Sequence, residues 1–248
     1  MANPLHQFEV HTIVPIHIGG IDASFTNSSL FMTIAVVLIT GFLVFSVQSR
    51  ALIPGRLQSV AELAYEFVAN MLRTNVGNAG RPYFPFIFSL FFFILLGNML
   101  GMVPYGFTFT SHLAVTLGMA VVIFIGTTII GFAKHGTGFF GFFLPHGTPW
   151  YVAPLLVPIE ILSYFFRPVS LGLRLFANMT AGHTLLKVFA GFAAGFVGSM
   201  GVLGIFPAIV PMAATTALTG LEFLIAFLQA YVYAVLACIY LNDALHMH

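Results

Sequence analysis

Three apolar runs of about 20 residues, at 28–47, 85–104 and 113–132, place the strongest constraint on this sequence. A helix of about 20 residues rises roughly 30 Å, the thickness of a bilayer's hydrocarbon core. The rest of the chain offers little that could face water. It carries eight basic and seven acidic side chains in 248 residues, or 6% charged, against about 25% in a soluble domain. Most of the surface must therefore meet lipid. The 29 Phe and 24 Gly suit a lipid-facing exterior and closely packed helices.

The expected fold is an all-α integral membrane protein, a single membrane domain over 1–248. An N-terminal outer segment, 1–27, precedes transmembrane helices at 28–47, 85–104 and 113–132. Between the first two lies LQSVAELAYEFVANMLRTNV, 57–76, with Leu57, Val60, Ala64, Phe67 and Met71 on one helical face. Glu62, Glu66, Asn70 and Arg73 fall on another face, which predicts an amphipathic helix on the membrane surface. Ser59 and Glu62 have the spacing of a capping box. The Gly- and Pro-rich stretch GTGFFGFFLPHGTPWY reads as a loop.

Two longer segments, 153–197 and 212–241, form a C-terminal hairpin, with Pro168 opening the long part of its first helix. From Val169 to Val197 that helix would rise roughly 43 Å, more than a bilayer core needs, so strong tilt is expected. Arg50, Arg56, Arg73, Arg81 and Lys134 all fall in connections on one side, whereas the N-terminal segment and the loops at 105–112 and 198–211 contain no Lys or Arg. The positive-inside rule then puts the N-terminus outside and the C-terminus in the cytoplasm. The N-terminus has no signal-peptide pattern and is read as retained. A lone Cys238 excludes an intrachain disulfide.

Inside these apolar helices a few polar side chains stand out. Arg174 lies more than a turn from either end of its segment, where an arginine costs roughly 2.5–3.5 kcal/mol on insertion scales. Snorkelling to the interface is the competing reading, but the reach from mid-helix is poor. Arg167, Ser170, Asn178 and Ala181 fall within about 40° of Arg174 on a helical wheel, a small and polar stripe another backbone could approach. On the last helix Thr215, Glu222, Gln229 and Tyr233 share one face.

In an antiparallel hairpin, residues at equal depth have a constant index sum. His183 with Glu222 gives 405 and Arg174 with Gln229 gives 403, both centring the turn near 202 in GFVGSMGVLG. An imidazole facing a carboxylate can exchange protons near neutral pH when its surroundings shift it, although a structural buried pair is the alternative. Glu160, Ser163 and Arg167 form a second polar patch, in which Glu160 and Arg167 could also be a simple i, i+7 ion pair.

Other patterns carry less. GTGFFG at 136–141 matches G-x-G-x-x-G, but no strand precedes it, so it is read as a chance match. There is no P-loop and no H-E-x-x-H, and the spacing of His6, His11 and His17 fits no common metal site. Gly97-x-x-x-Gly101 and Gly191-x-x-x-Gly195 read as helix-packing motifs. Neither a cofactor nor a metal is expected.

The segment PVSLGLRLFANMTAGH, 168–183, resembles the signature of the proton-channel subunit a of F-type ATP synthases. PLHQFEV, GNMLGMVPY, IEILSYFFRP and LEFLIAFLQAYVYAVL extend the resemblance over nearly the whole chain. It implies two half-channels against a rotating ring of c subunits. Arg174 would face that ring, with Asn178 one turn on and Gln229 opposite. His183 and Glu222 would form the outer polar pair and Asn98 would line the outer channel. Glu160 and Ser163 would lie along the inner exit, with Arg167, Ser170 and Tyr233 also lining the half-channels. Implied partners are the c ring, peripheral-stalk b subunits and membrane lipid, with no nucleic acid. A bacterial inner membrane is the expected location and a mitochondrial inner membrane the alternative. The competing function classes are an ion-coupled secondary transporter, which should show internal repeats and broken midplane helices, and a structural membrane subunit indifferent to Arg174.

Overall fold

A computed structural model describes residues 8–18, 21–22, 24–48, 54–103, 106–143 and 151–246. Six helices carry the described chain: α1 Asn27–Val47, α2 Arg56–Val76, α3 Phe84–Gly101, α4 Leu113–His135, α5 Ala153–Met200 and α6 Ile205–Leu245. Four short strands precede α1: β1 Thr12–Val14, β2 His17–Ile18, β3 Ile21–Asp22 and β4 Phe25–Thr26. β1 pairs antiparallel with β4, and β2 with β3. Four helical stretches among the described residues are long and apolar enough to cross a membrane: Asn27–Val47, Arg56–Gly101, Leu113–Phe139 and Ala153–Leu245. The chain is a multi-pass, all-α membrane protein.

Several local expectations are corrected. The Ser59–Glu62 capping box does not form. Gly55 occupies the N-cap of α2 without a side-chain bond, Ser59 Oγ donates to the Gly55 carbonyl, and Glu62 accepts from Gln58 Nε2 at 2.8 Å. The residues α2 buries are Val68, Met71, Leu72 and Val76; of the expected apolar face, Leu57, Val60 and Phe67 remain exposed. Pro168 does not open a helix, because α5 is one 48-residue helix passing through Pro158 and Pro168. Proline is tolerated inside membrane helices where neighbouring groups satisfy the freed backbone. The second hairpin helix likewise begins earlier than expected, at Ile205, and passes through Pro211. The strand pairs before α1 were not foreseen. Part of the 136–151 loop is a 3₁₀ helix, Gly136–Phe143, while 144–150, Arg50 and His6 lie outside the described residues.

The described chain forms two compact units. The first draws on 1–40, 93–112 and 175–230. Its core includes Ala35, Ile94, Phe109, Leu175, Met179, Ala226 and Ala230. Gly97 and Gly101 belong here, but their side of α3 meets loop side chains instead of another helix. A Cβ at Gly97 would strike the Phe109 ring, and one at Gly101 would strike Thr108. Gly191 and Gly195 have open space beside them, so that motif packs against nothing among the described residues.

The second unit draws on 41–92, 113–174 and 231–248. Phe67 lies 5.5 Å from Phe91 and 5.8 Å from Tyr231, ring centre to ring centre, and the unit's core includes Val68, Ile87, Ile123, Leu171, Ala234 and Cys238. Gly172 explains one glycine of the signature segment. A Cβ there would lie 2.9 Å from the Leu117 Cα, so only glycine lets α5 approach α4 this closely.

Candidate functional site

In the first unit, α5 and α6 bring His183 and Glu222 together. His183 Nδ1 lies 3.2 Å from Glu222 Oε1, and the two residues are only 8% and 3% exposed. The contact is an ion-pair distance without hydrogen-bond geometry, and neither Glu222 oxygen has a hydrogen-bond partner among the described residues. Gly182 makes the approach possible, since a Cβ there would sit 2.7 Å from Glu222 Oε1. The other imidazole nitrogen, Nε2, lies 3.0 Å from Thr108 Oγ1, which comes from the connection between α3 and α4. One ring nitrogen therefore has a hydroxyl partner, and the other lies beside a carboxylate.

Asn98 is fully buried in the same unit. Its Nδ2 donates to the Ala226 carbonyl at 3.1 Å, one turn beyond Glu222 on α6, while its Oδ1 has no partner among the described residues. Thr110 Oγ1 is a further buried oxygen without one. Ser111 is tied in through Thr180 Oγ1, which donates to its carbonyl at 3.2 Å. Buried polar atoms normally find partners, so these oxygens retain acceptor capacity that a water or another polar group could use. Next to them His112 stacks on Phe107 at 5.1 Å, and burial holds its imidazole pKa below the usual value.

Arg174 behaves differently. Its side chain is exposed, on a stripe of α5 that includes the exposed Ser170, Ala177 and Ala181, and it makes no ion pair or hydrogen bond among the described residues. Asn178 is half-buried at the edge of that stripe, and Gln229 is half-buried on α6. Arg174 and Gln229 belong to different units.

In the second unit, Arg167 does not pair with Glu160. Arg167 Nη1 meets Asp243 Oδ2 at 2.8 Å, and its guanidinium stands 5.3–5.4 Å from the ring centres of Phe142, Tyr164 and Tyr240. A cation facing one carboxylate and three aromatic faces is held by charge and by ring quadrupoles together. Glu160 is half-buried; Ser163 and Ser170 are exposed. Tyr233 is buried and donates to the Thr116 carbonyl at 3.1 Å.

Sequence reasoning missed Thr108 and Asp243. Thr108 lies in an irregular connection, where no periodicity could place it. Asp243 could have been found, because its index sum with Arg167, 410, lies close to the 405 of the His183–Glu222 pair.

A family model for the ATP synthase A chain matches residues 29–242. The chain belongs to the ATP synthase A chain family. ATP synthase subunit a of Paramagnetospirillum magneticum is 58% identical over 251 residues, covering all of both chains. Subunit a of Allorhizobium ampelinum is 59% identical over 99% of this chain and 98% of its own, and that of Rhodospirillum rubrum 56% over the full length of both. As a member of this family the chain is a proton-translocating component of an ATP synthase. No group of three or more His, Cys, Asp or Glu side chains among the described residues could hold a metal.

Proposed function

We propose that the chain is the stationary half of a rotary proton pathway, working against a ring of c subunits and held by peripheral-stalk b subunits. Protons enter from the N-terminal side past Asn98, His183 and Glu222 and pass to a carboxyl group on a c subunit. The neutral carboxyl travels almost a full turn through lipid. It then meets Arg174 and releases its proton along Glu160, Ser163, Arg167 and Ser170, with Tyr233 lining the path. Asn178, one turn along α5, and Gln229, on α6, belong to the same proton-translocating set. The basic connections face the cytoplasm of a bacterium, with the N-terminus outside the plasma membrane, a location the bacterial relatives support. The chain itself has no catalytic site; ATP chemistry belongs to other subunits.

One observation carries this reading: the exposed guanidinium of Arg174, on an apolar helix, lacks an anion among the described residues. A charge in that position calls for a partner, and a carboxylate arriving on another chain supplies one. At about 4 Å and an effective dielectric near 20 the attraction is of order 4 kcal/mol before solvation, enough to favour the ionised carboxylate. The same fixed charge repels protons that would cross directly between the half-channels. Arginine suits both tasks because it stays protonated.

The test is ATP-driven proton pumping and passive leak in inverted vesicles carrying Arg174→Ala. Pumping should be lost with the complex assembled, and leak should rise. Normal pumping would make Arg174 a structural or snorkelling residue.

A further inference from the structure

The imidazole of His183 has a third neighbour that the proton pathway as described does not use. The Phe8 ring stands edge-on to it, with centroids 6.5 Å apart and planes at 62°. With Thr108 on Nε2 and Glu222 at Nδ1, the ring has a polar neighbour at each nitrogen and an aromatic neighbour besides.

Phe8 comes from the segment before α1, and that segment is fixed at its other end. The Asn27 amide nitrogen donates to the His11 carbonyl at 3.0 Å, and the His11 amide nitrogen donates to Asn27 Oδ1 at 3.2 Å. Asn27 Nδ2 donates to the carbonyl of Glu9, next to Phe8, at 3.1 Å. The β1–β4 pairing, Thr12 with Thr26 and Val14 with Phe25, continues the same clamp. A segment held this way cannot slide without breaking bonds at the first residue of α1.

We infer that Phe8 is a positioning residue for His183: the Asn27 clamp presents its ring as a cover that keeps the imidazole between Thr108 and Glu222 and limits water access to the pair. An edge-to-face aromatic contact has a preferred geometry, so it orients the imidazole as well as shielding it. A side chain that only filled space would be replaceable by any apolar group of similar volume. This inference rests on the reading of His183 and Glu222 as a proton site.

The experiment uses the purified, assembled ATP synthase in nanodiscs, with Cys238→Ala as background and Thr108→Cys as a reporter beside the imidazole. Thiol labelling by a water-soluble maleimide reads access to the site. Phe8→Ala should speed labelling by about two- to tenfold, the population shift expected from losing one aromatic pair. Phe8→Leu, which keeps apolar bulk and protects assembly, should also label faster, whereas Phe8→Tyr should restore the slow rate. Asn27→Ala should mimic Phe8→Ala, and the double variant should be no faster than either, because both act through one contact.

Proton-driven ATP synthesis is then measured in the Thr108 background. There Phe8→Ala and Phe8→Leu should both reduce the rate, and Phe8→Tyr should return it. An unchanged labelling rate in Phe8→Ala, or protection by Phe8→Leu equal to that by Phe8→Tyr, overturns the cover. Faster labelling with undiminished synthesis in Phe8→Ala overturns the positioning role. Failure of the underlying reading looks different: His183→Gln would retain full proton flux, whatever the labelling rates.

Discussion

At the scale of single residues, Gly182 has a role that its lack of a side chain conceals. An added Cβ would meet Glu222 Oε1 at 2.7 Å, and that oxygen ends a flexible side chain which can move aside. Gly182→Ala should therefore spare assembly and displace the carboxylate from His183. Proton-driven ATP synthesis should fall about three- to tenfold, the equivalent of about 1 kcal/mol, with the amount of complex unchanged. Full activity would mean that the 3.2 Å contact is dispensable. His112 gives a pH test. Burial lowers its pKa in the fold, so the unfolded chain binds more protons, and stability should decline as pH falls through about 6.5. Thermal aggregation of the detergent-solubilised complex should start at a lower temperature near pH 5.5 than near pH 7.5, and His112→Phe should narrow that gap. An equal gap in the variant would assign it to other groups. The meeting of His183 with Glu222 was legible in the sequence because residues at equal depth in an antiparallel hairpin share an index sum. Thr108 was not, because a threonine in an irregular connection looks like any other.

Among the helices, the connection between α5 and α6 in the second unit rests on Arg167. Its pairing with Asp243 and its three aromatic neighbours join α5, the 3₁₀ helix at 136–143 and α6. The pair is partly exposed, at 25% and 31%, so screening limits its contribution to about 1 kcal/mol, with a similar increment from the rings. A double-mutant cycle of Arg167→Ala and Asp243→Ala, read by thermal stability of the complex, should show coupling of about 1 kcal/mol. The matching cycle with Glu160→Gln should show none; coupling there instead would restore the i, i+7 pairing. The helices themselves were largely readable as apolar runs, and their ends were not. Pro168 looked like a boundary by the rules of soluble helices and the last helix was expected to begin at 212, yet α5 and α6 pass through Pro168 and Pro211. The short strands before α1 escaped notice because pairs of two or three residues carry no usable alternation.

For the molecule as a whole, composition pointed to the membrane class and the segment PVSLGLRLFANMTAGH to the family, but neither pointed to the division into two units. That division could not be read from the chain because α1, α3, α5 and α6 each contribute residues to both units. What composition does expose is a conflict between stability and function at Arg174. Arg167 has a carboxylate to offset part of its desolvation, whereas Arg174 has no ion pair or hydrogen bond among the described residues. Its insertion penalty, roughly 2.5–3.5 kcal/mol at a helix centre, is then relieved only when another chain brings an anion. Arg174→Leu should accordingly lengthen the lifetime of the subunit expressed without its ring, measured by pulse-chase in a strain lacking c subunits. In the complete complex the same substitution should abolish coupled pumping. Such opposite effects are the signature of a residue retained against stability for the sake of activity. If the leucine variant is degraded as fast as the parent chain, the lone guanidinium is already solvated, by lipid headgroups or water reaching into the membrane, and the ring is not what stabilises it.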